Sequence, residues 1–254
     1  MSGFNSIPPC EIASDSKSWL HTLATCDSTN TWALEHLTQL KHGDVVFTRN
    51  QTAGRGQFDR VWHSQCGTLT ASFILDFSIA QLPGFSLIAG LAVIQAIETL
   101  LPVKLQLKWT NDVFAEERKL AGILCESRIQ GDQVRMVVGI GINRAGVPDS
   151  LTRAISLSQI SASVLDEQVL LTQLRDRLLQ LCQQSLVDLL PEIRSRDFLY
   201  QKKITLEVAN ELLTGEGAGM DAEGQLLIQS SEGIRAFRSG RVVKIYELKG
   251  ENYR

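Results

Sequence analysis

The chain has 254 residues, 25 Lys and Arg against 28 Asp and Glu, and a formal net charge of −3. At 44% hydrophobic and 21% charged it is too apolar to be disordered and long enough for a buried core, and its near-neutral balance gives no electrostatic footprint for general nucleic-acid or anionic-membrane binding. The five cysteines, Cys10, Cys26, Cys66, Cys125 and Cys182, are odd in number, widely spaced and never in a Cys-x-x-Cys pair, which points to a reducing compartment and away from a disulfide framework or a zinc ribbon.

In chain order, Met1–Cys10 carries Pro8 and Pro9 and lacks the basic and apolar regions of a signal peptide. Ser28-Thr29-Asn30 supplies caps for a helix through Leu40, with Ala33, Leu37 and Leu40 on one face. Asp44–Arg49 reads as a short strand. In Thr68–Phe77, Leu69, Ala71, Phe73, Leu75 and Phe77 alternate with Thr70, Ser72 and Asp76, the pattern of a strand. Phe85–Leu101, between Pro83 and Pro102, contains Gln95 and Glu98 and falls short of the roughly 20 apolar residues of a membrane span, so it predicts a buried helix in a cytoplasmic protein.

Lys104–Trp109, Lys119–Ile129 and Val134–Ile142 are read as strands, the last two antiparallel across Gln130-Gly131-Asp132. Asp166 to about Leu199 is helical, with Leu170, Leu174, Leu178 and Leu181 at three- and four-residue spacing. From Ile204 onward, repeated glycines and short alternating runs predict a small all-β domain that leans on its neighbour for stability. The expected fold is α+β: a mixed sheet with flanking helices over residues 1–200, and a β-domain over 201–254.

Four segments carry chemistry. In Gln51–Trp62, glycines flank Arg55 so that backbone N–H groups and a guanidinium can meet carboxylate or phosphate oxygens; a surface turn with a solvated Arg is the competing reading. Lys108-Trp109-Thr110-Asn111-Asp112 leaves a strand with oxygen ligands suited to Mg²⁺ or hydroxyls, and is equally an ordinary turn. Lys119 opens an apolar strand, where an ammonium can face a phosphate. Gly139-Ile140-Gly141-Ile142-Asn143 is no dinucleotide fingerprint, because Arg144 stands at the third glycine position and no helix follows.

Taken in order with Asp27-Ser28-Thr29-Asn30, these segments resemble the biotin protein ligase family, biotin–[acetyl-CoA-carboxylase] ligase, within the biotin/lipoate ligase superfamily. The resemblance implies a class II aminoacyl-tRNA synthetase-like catalytic fold with a C-terminal SH3-like β-barrel. It also implies formation of biotinyl-5′-adenylate from biotin and ATP with Mg²⁺, followed by transfer of biotin to a lysine of a biotin carboxyl carrier domain of acetyl-CoA carboxylase. Lys119 and Arg55 take the catalytic positions. Biotin is expected on Ser28, Thr29, Asn30, Gln51, Gly54, Arg55, Gly56, Gln57, Trp62, Lys119 and Gly122. ATP is expected on Arg55, Lys108, Asn111, Asp112, Lys119 and Asn143, near the adenine in the last case, with Asp112 toward the metal. The loop is expected to close over ligand. His21, His36, His42 and His63 match no catalytic position and read as surface or core residues.

Three positions depart from the family pattern: Gln57 stands where a cation is usual, Asp59 where glycine is usual, and Thr110 where proline is usual. Asp59 can adopt a left-handed backbone at modest cost, and Thr110 leaves the functional side chains in place, whereas Gln57 removes a charge near the adenylate. The segment ahead of Asp27 is too short for the helix-turn-helix domain of family members that double as repressors, so DNA binding is not expected. Arg235, Arg238 and Arg241 read as a solvated face, with help in binding ATP or the acceptor as the competing reading. A lipoate or octanoate ligase or transferase on the same fold and a biotin-binding regulatory protein are the rival readings, and a homodimer is compatible with the family.

Overall fold

A computed structural model describes residues 12–13, 17–58, 60–64, 67–148, 150–161 and 163–246. Met1–Cys10, Asp59 and Cys66 therefore lie outside the described residues. Strands β1 (Ile12–Ala13) and β2 (Leu20–Leu23) are followed by helix α1 (Thr29–Glu35), then β3 (Val45–Thr48), β4 (Leu69–Ser78) and helix α2 (Phe85–Leu100). Next come β5 (Gln106–Lys108), β6 (Asp112–Ala115), β7 (Arg118–Gln130) and β8 (Gln133–Ile142), then helices α3 (Leu157–Ile160), α4 (Glu167–Leu181) and α5 (Leu186–Ser195). The chain ends in β9 (Lys203–Val208), β10 (Glu211–Met220), β11 (Leu226–Ser230), β12 (Gly233–Phe237) and β13 (Arg241–Tyr246).

The first sheet runs β1-β2-β3-β4-β8-β7-β6-β5, mixed because β2 and β3 are parallel while the other pairs are antiparallel. The β4 alternation sorts side chains to its two faces. Leu69, Ala71, Phe73, Leu75 and Phe77 join the core built with α2, α4 and α5. On the other face, Ile74 packs with Val46, Val137 and the α1-side residues Ala33, Leu37 and Leu40. Thr70 and Ser72, read as the polar face, are also buried, because α1 and the loop after β3 cover that side.

Several boundaries differ from the sequence reading. The first helix ends at Glu35 rather than Leu40: the N–H of His36 closes it onto the carbonyls of Trp32 and Ala33, while Leu37 and Leu40 stay buried from a turn. The helical stretch after Asp166 is two helices, because Ser185 caps a new one with its Oγ 3.3 Å from Asp188 N. Asn111 lies in the turn after β5, as the turn reading of this segment had it, but Asp112 opens β6, which pairs with both β5 and β7. The β7–β8 hairpin turns through Gly131 at φ 57°, with Gln130 opposite Gln133.

The second sheet is antiparallel in the order β12-β11-β10-β9-β13, and a pairing of β12 with β13 that would close a barrel is not among those of the described residues. Its inner residues Ile204, Leu206, Met220, Leu226 and Ile228 belong to the same apolar cluster as the first sheet. Trp109 Nε1 donates to Gly224 O at 3.0 Å, and Arg194 Nε donates to Met220 O at 2.9 Å, so polar bonds reinforce that shared core. Arg238 pairs with Glu223 in the β10–β11 turn, and Arg241 with Glu207 of β9. Among the described residues no helix is long and apolar enough to cross a membrane.

Candidate active site

One cavity of about 390 Å³ opens on the α1 side of the first sheet. Every residue expected at the site lines it except Gly54, which is buried behind the wall. Gly54 is needed for close approach: a Cβ there would run into the carbonyl oxygen of Trp62, whose N–H donates to Gly54 O at 2.8 Å. Arg55 and Val61 bridge in antiparallel fashion, and Gly56 N donates to Arg60 O at 2.7 Å, so the Gly-Arg-Gly segment is one arm of a small hairpin. The loop is thus ordered, not a free surface turn.

At one end of the cavity the start of α1 presents Ser28, Thr29 and Asn30, all buried. Gln51 Oε1 accepts from Thr29 N at 2.8 Å and Thr29 Oγ1 at 3.2 Å, and Gln51 Nε2 donates to Ser64 Oγ at 2.8 Å. Asn30 lines the cavity and is at the same time tied to the protein. Its Nδ2 donates to Leu124 O and Glu126 Oε2 and its Oδ1 accepts from Ser72, so its hydrogen-bonding groups are engaged by the protein.

The floor is glycine. Gly122 on β7 and Gly141 on β8 are cross-strand partners, and a Cβ on Gly141 would penetrate the indole of Trp62. Trp62 Nε1 is buried with no hydrogen-bond partner, an orphan donor at the lining of a cavity and therefore a ready contact for a ligand oxygen. The Lys119 ammonium lies 5.6 Å from the Trp62 ring centroid.

The other end is cationic. Lys119 Nζ pairs with Asp112 Oδ1 at 2.6 Å. Burial pushes the ammonium of Lys108 below its ordinary pKa, Asp112 pulls it back up, and Lys119, Arg60 and Arg153 lower it again. Lys108 thus feels three other cations and one carboxylate, itself paired with Lys119, an arrangement that favours a polyanion. Asn111 Nδ2 donates to Ile123 O at 2.6 Å, bracing the β6–β7 pair. Asn143 Nδ2 donates to Lys119 O and Ile155 O at 3.3 and 3.2 Å, so this residue, expected near the adenine, also anchors the backbone of Lys119.

Arg55, expected on the carboxylate or phosphate, is held by Glu126 at 2.7 Å. Sequence reasoning passed over Glu126, Arg60 and Arg153. Arg60 lies within the Gln51–Trp62 segment but was given no role, Arg153 lies outside every quoted segment, and the two reach the cavity through the hairpin and through the pairing of Ala154 with Lys119. His63 also lines the cavity, whereas His21 pairs with Asp44 and His36 stacks on Trp32. Among the described residues no group of three or more His, Cys, Asp or Glu is placed to hold a metal.

The cavity is hydrogen-bonding and partly apolar at one end and cationic at the other, with Lys119 between them, an arrangement suited to an acid placed against a phosphate. The chain belongs to the biotin/lipoate A/B protein ligase family, to which residues 23–143 match. It is 30% identical over 231 residues to the bifunctional ligase/repressor BirA of Escherichia coli, covering 87% of this chain and 72% of that protein. The biotin–[acetyl-CoA-carboxylase] ligase of Mycobacterium tuberculosis is 29% identical over 219 residues, covering 80% and 79% of the two chains. Among solved structures, the biotin protein ligase of Aquifex aeolicus in complex with biotin and ATP superposes with a TM-score of 0.77 at 31% identity, covering 88% of this chain and 97% of that one.

Proposed function

We propose that the protein is a biotin protein ligase that makes biotinyl-5′-adenylate and passes biotin to a lysine of a biotin carboxyl carrier domain. The observation that carries this reading is the position of Lys119. Its ammonium faces Trp62 and the glycine floor on one side and the Asp112, Lys108, Arg60 and Arg153 cluster on the other. A biotin carboxylate and an ATP α-phosphate brought to that point repel each other, and a cation between them offsets the repulsion most where charge builds up during attack.

In the first step a carboxylate oxygen attacks the α-phosphorus and the bond to pyrophosphate breaks. In the second, the acceptor amine attacks the acyl carbon and AMP leaves. The Ser28, Thr29 and Gln51 groups suit the neutral donor and acceptor atoms of a ureido ring, and the Trp62 indole supplies an apolar wall with a free N–H. The Lys108, Arg60 and Arg153 cluster suits the polyphosphate. Asp112 is a single carboxylate already engaged by Lys119, so Mg²⁺ fits here as an ion carried by the nucleotide's phosphates with at most one protein oxygen added.

Pyrophosphate release measured with biotin, lipoate and octanoate in parallel tests the assignment. Release only with biotin and ATP is expected. Release with lipoate or octanoate instead moves the protein to that branch, and none with any acid leaves a binding protein.

A further inference from the structure

The Arg55 guanidinium, on the loop proposed to meet an anion, is already chelated by an acid of the protein. Its Nη2 donates to Glu126 Oε2 and Oε1 at 2.7 and 3.0 Å. The same Oε2 accepts from Asn30 Nδ2 at 2.8 Å. Asn30 is 2% exposed, and beyond it the Ser72 hydroxyl lies 2.6 Å from Asn30 Oδ1 and 2.8 Å from Thr29 Oγ1. Thr29 donates to Gln51, and Gln51 donates to Ser64. The chain of hydrogen bonds therefore leaves the loop at Gln51 and Ser64, crosses the pocket wall through α1 and β4, and returns to the loop at Arg55.

A half-exposed ion pair contributes little stability by itself. This one is tied to a buried amide, and an amide in place of the Glu126 carboxylate would leave one neutral oxygen for both the Asn30 N–H and the guanidinium and turn an N–H donor toward one of them. We propose that Glu126 is a positioning residue: by holding Arg55 and Asn30 together it fixes the Gly54-Arg55-Gly56 loop relative to the Ser28, Thr29 and Gln51 end of the pocket. Ligand then meets a loop already ordered, and binding loses less conformational freedom. The inference rests on the ligase reading for its substrate, biotin, and on the contacts alone for the loop.

The test compares Glu126→Gln, Glu126→Asp, Arg55→Ala and the Arg55→Ala/Glu126→Gln double variant in the full chain. Two readouts are taken: biotin KM and kcat in biotin-dependent pyrophosphate exchange, and the rate at which trypsin cuts after Arg60 in ligand-free protein. Glu126→Gln is expected to raise KM for biotin about tenfold with a smaller change in kcat, and to speed loop cleavage severalfold, with saturating biotin restoring protection. Glu126→Asp, which keeps the charge, is expected to fall between native and Glu126→Gln. The double variant should be no worse than the worse single one, since each removes the same contact. Unchanged KM and cleavage in Glu126→Gln, or single effects that multiply in the double variant, would overturn the proposal. If Glu126→Gln does not fold, Glu126→Asp and Arg55→Ala still decide through cleavage after Arg60. A native chain with no biotin-dependent exchange overturns the ligase reading instead, and the cleavage comparison then judges the loop role separately.

Discussion

Gly122 on β7 and Gly141 on β8 face each other across the strand pair, and the Trp62 ring lies against both. The two contacts are unequal. A Cβ at position 122 would sit 3.1 Å from Trp62 Cζ3 and 3.2 Å from Lys119 Nζ, a crowding that small shifts relieve, whereas at position 141 it would overlap the ring itself. Gly141→Ala is therefore expected to expel the indole and weaken biotin binding by at least tenfold, with Gly122→Ala the milder change. Titration of tryptophan fluorescence with biotin reads both, and a reversed order would contradict the assigned floor.

The Lys119–Asp112 pair at 2.6 Å sits inside a cluster whose other members are cations. Lys119→Ala is expected to leave measurable biotin binding while abolishing adenylate formation, since it removes the charge between the reacting anions. Retained pyrophosphate release would disprove that role.

Asp112 is also the one group that raises the pKa of Lys108, against burial, Lys119, Arg60 and Arg153. Asp112→Asn should thus lower that pKa further. Nucleotide affinity, which needs the ammonium charged, should fall as pH rises and should begin to fall at a lower pH in Asp112→Asn than in the native chain. ATP titrations between neutral and alkaline pH measure the shift; superimposable profiles would show that Lys108 does not meet the nucleotide.

Much of this arrangement was legible because motif letters and strand periods reinforce each other. The β4 alternation and the β7–β8 hairpin were readable from residue type and order, and the convergence of Ser28, Gln51, Arg55, Lys108 and Lys119 followed from the family resemblance of their motifs. What stayed hidden depends on long-range pairing. Asn30 and Asn143 look like ligand contacts in sequence, yet each spends its amide on backbone brought in from elsewhere, Leu124 O in one case and Ile155 O in the other. Glu126 gave no signal at all, since an acid in a strand is ordinary until a loop 71 residues away lays an arginine on it. The short β6 was masked by turn-forming letters, because Asn111 does sit in a turn while Asp112 beside it owes its strand pairing to β5 and β7 on its two sides.

Asp197 offers a stability test away from the site. Burial raises its pKa to about 6, against hydrogen bonds from the N–H groups of Leu199 and Tyr200, and its Oδ2 is buried without a partner. A carboxyl raised in the folded state favours folding below its unfolded pKa, and that contribution is lost as pH rises through about 6. The native chain should lose up to about 3 kcal/mol across this window, and Asp197→Asn should flatten the loss. Urea unfolding at pH 4 and pH 8 checks it: the variant should be at least as stable as native at pH 8 and no more stable at pH 4.

Gln57 lines the cavity near the tip of the hairpin, its Oε1 3.5 Å from Thr110 Oγ1, at the position where the motif resemblance leads one to expect a cation. The adenylate is an anion at its phosphate, and a neutral amide at that point leaves its retention to Lys119 and the arginines of the cluster. Gln57→Arg is expected to slow release of biotinyl-adenylate severalfold, because a guanidinium gains a charge-assisted contact only while the adenylate is bound. Stopped-flow chase of preformed adenylate from the native chain and the variant measures the two off-rates. Equal rates would mean that the tip of the hairpin does not reach the phosphate, and that the Lys119 side of the cavity governs retention alone.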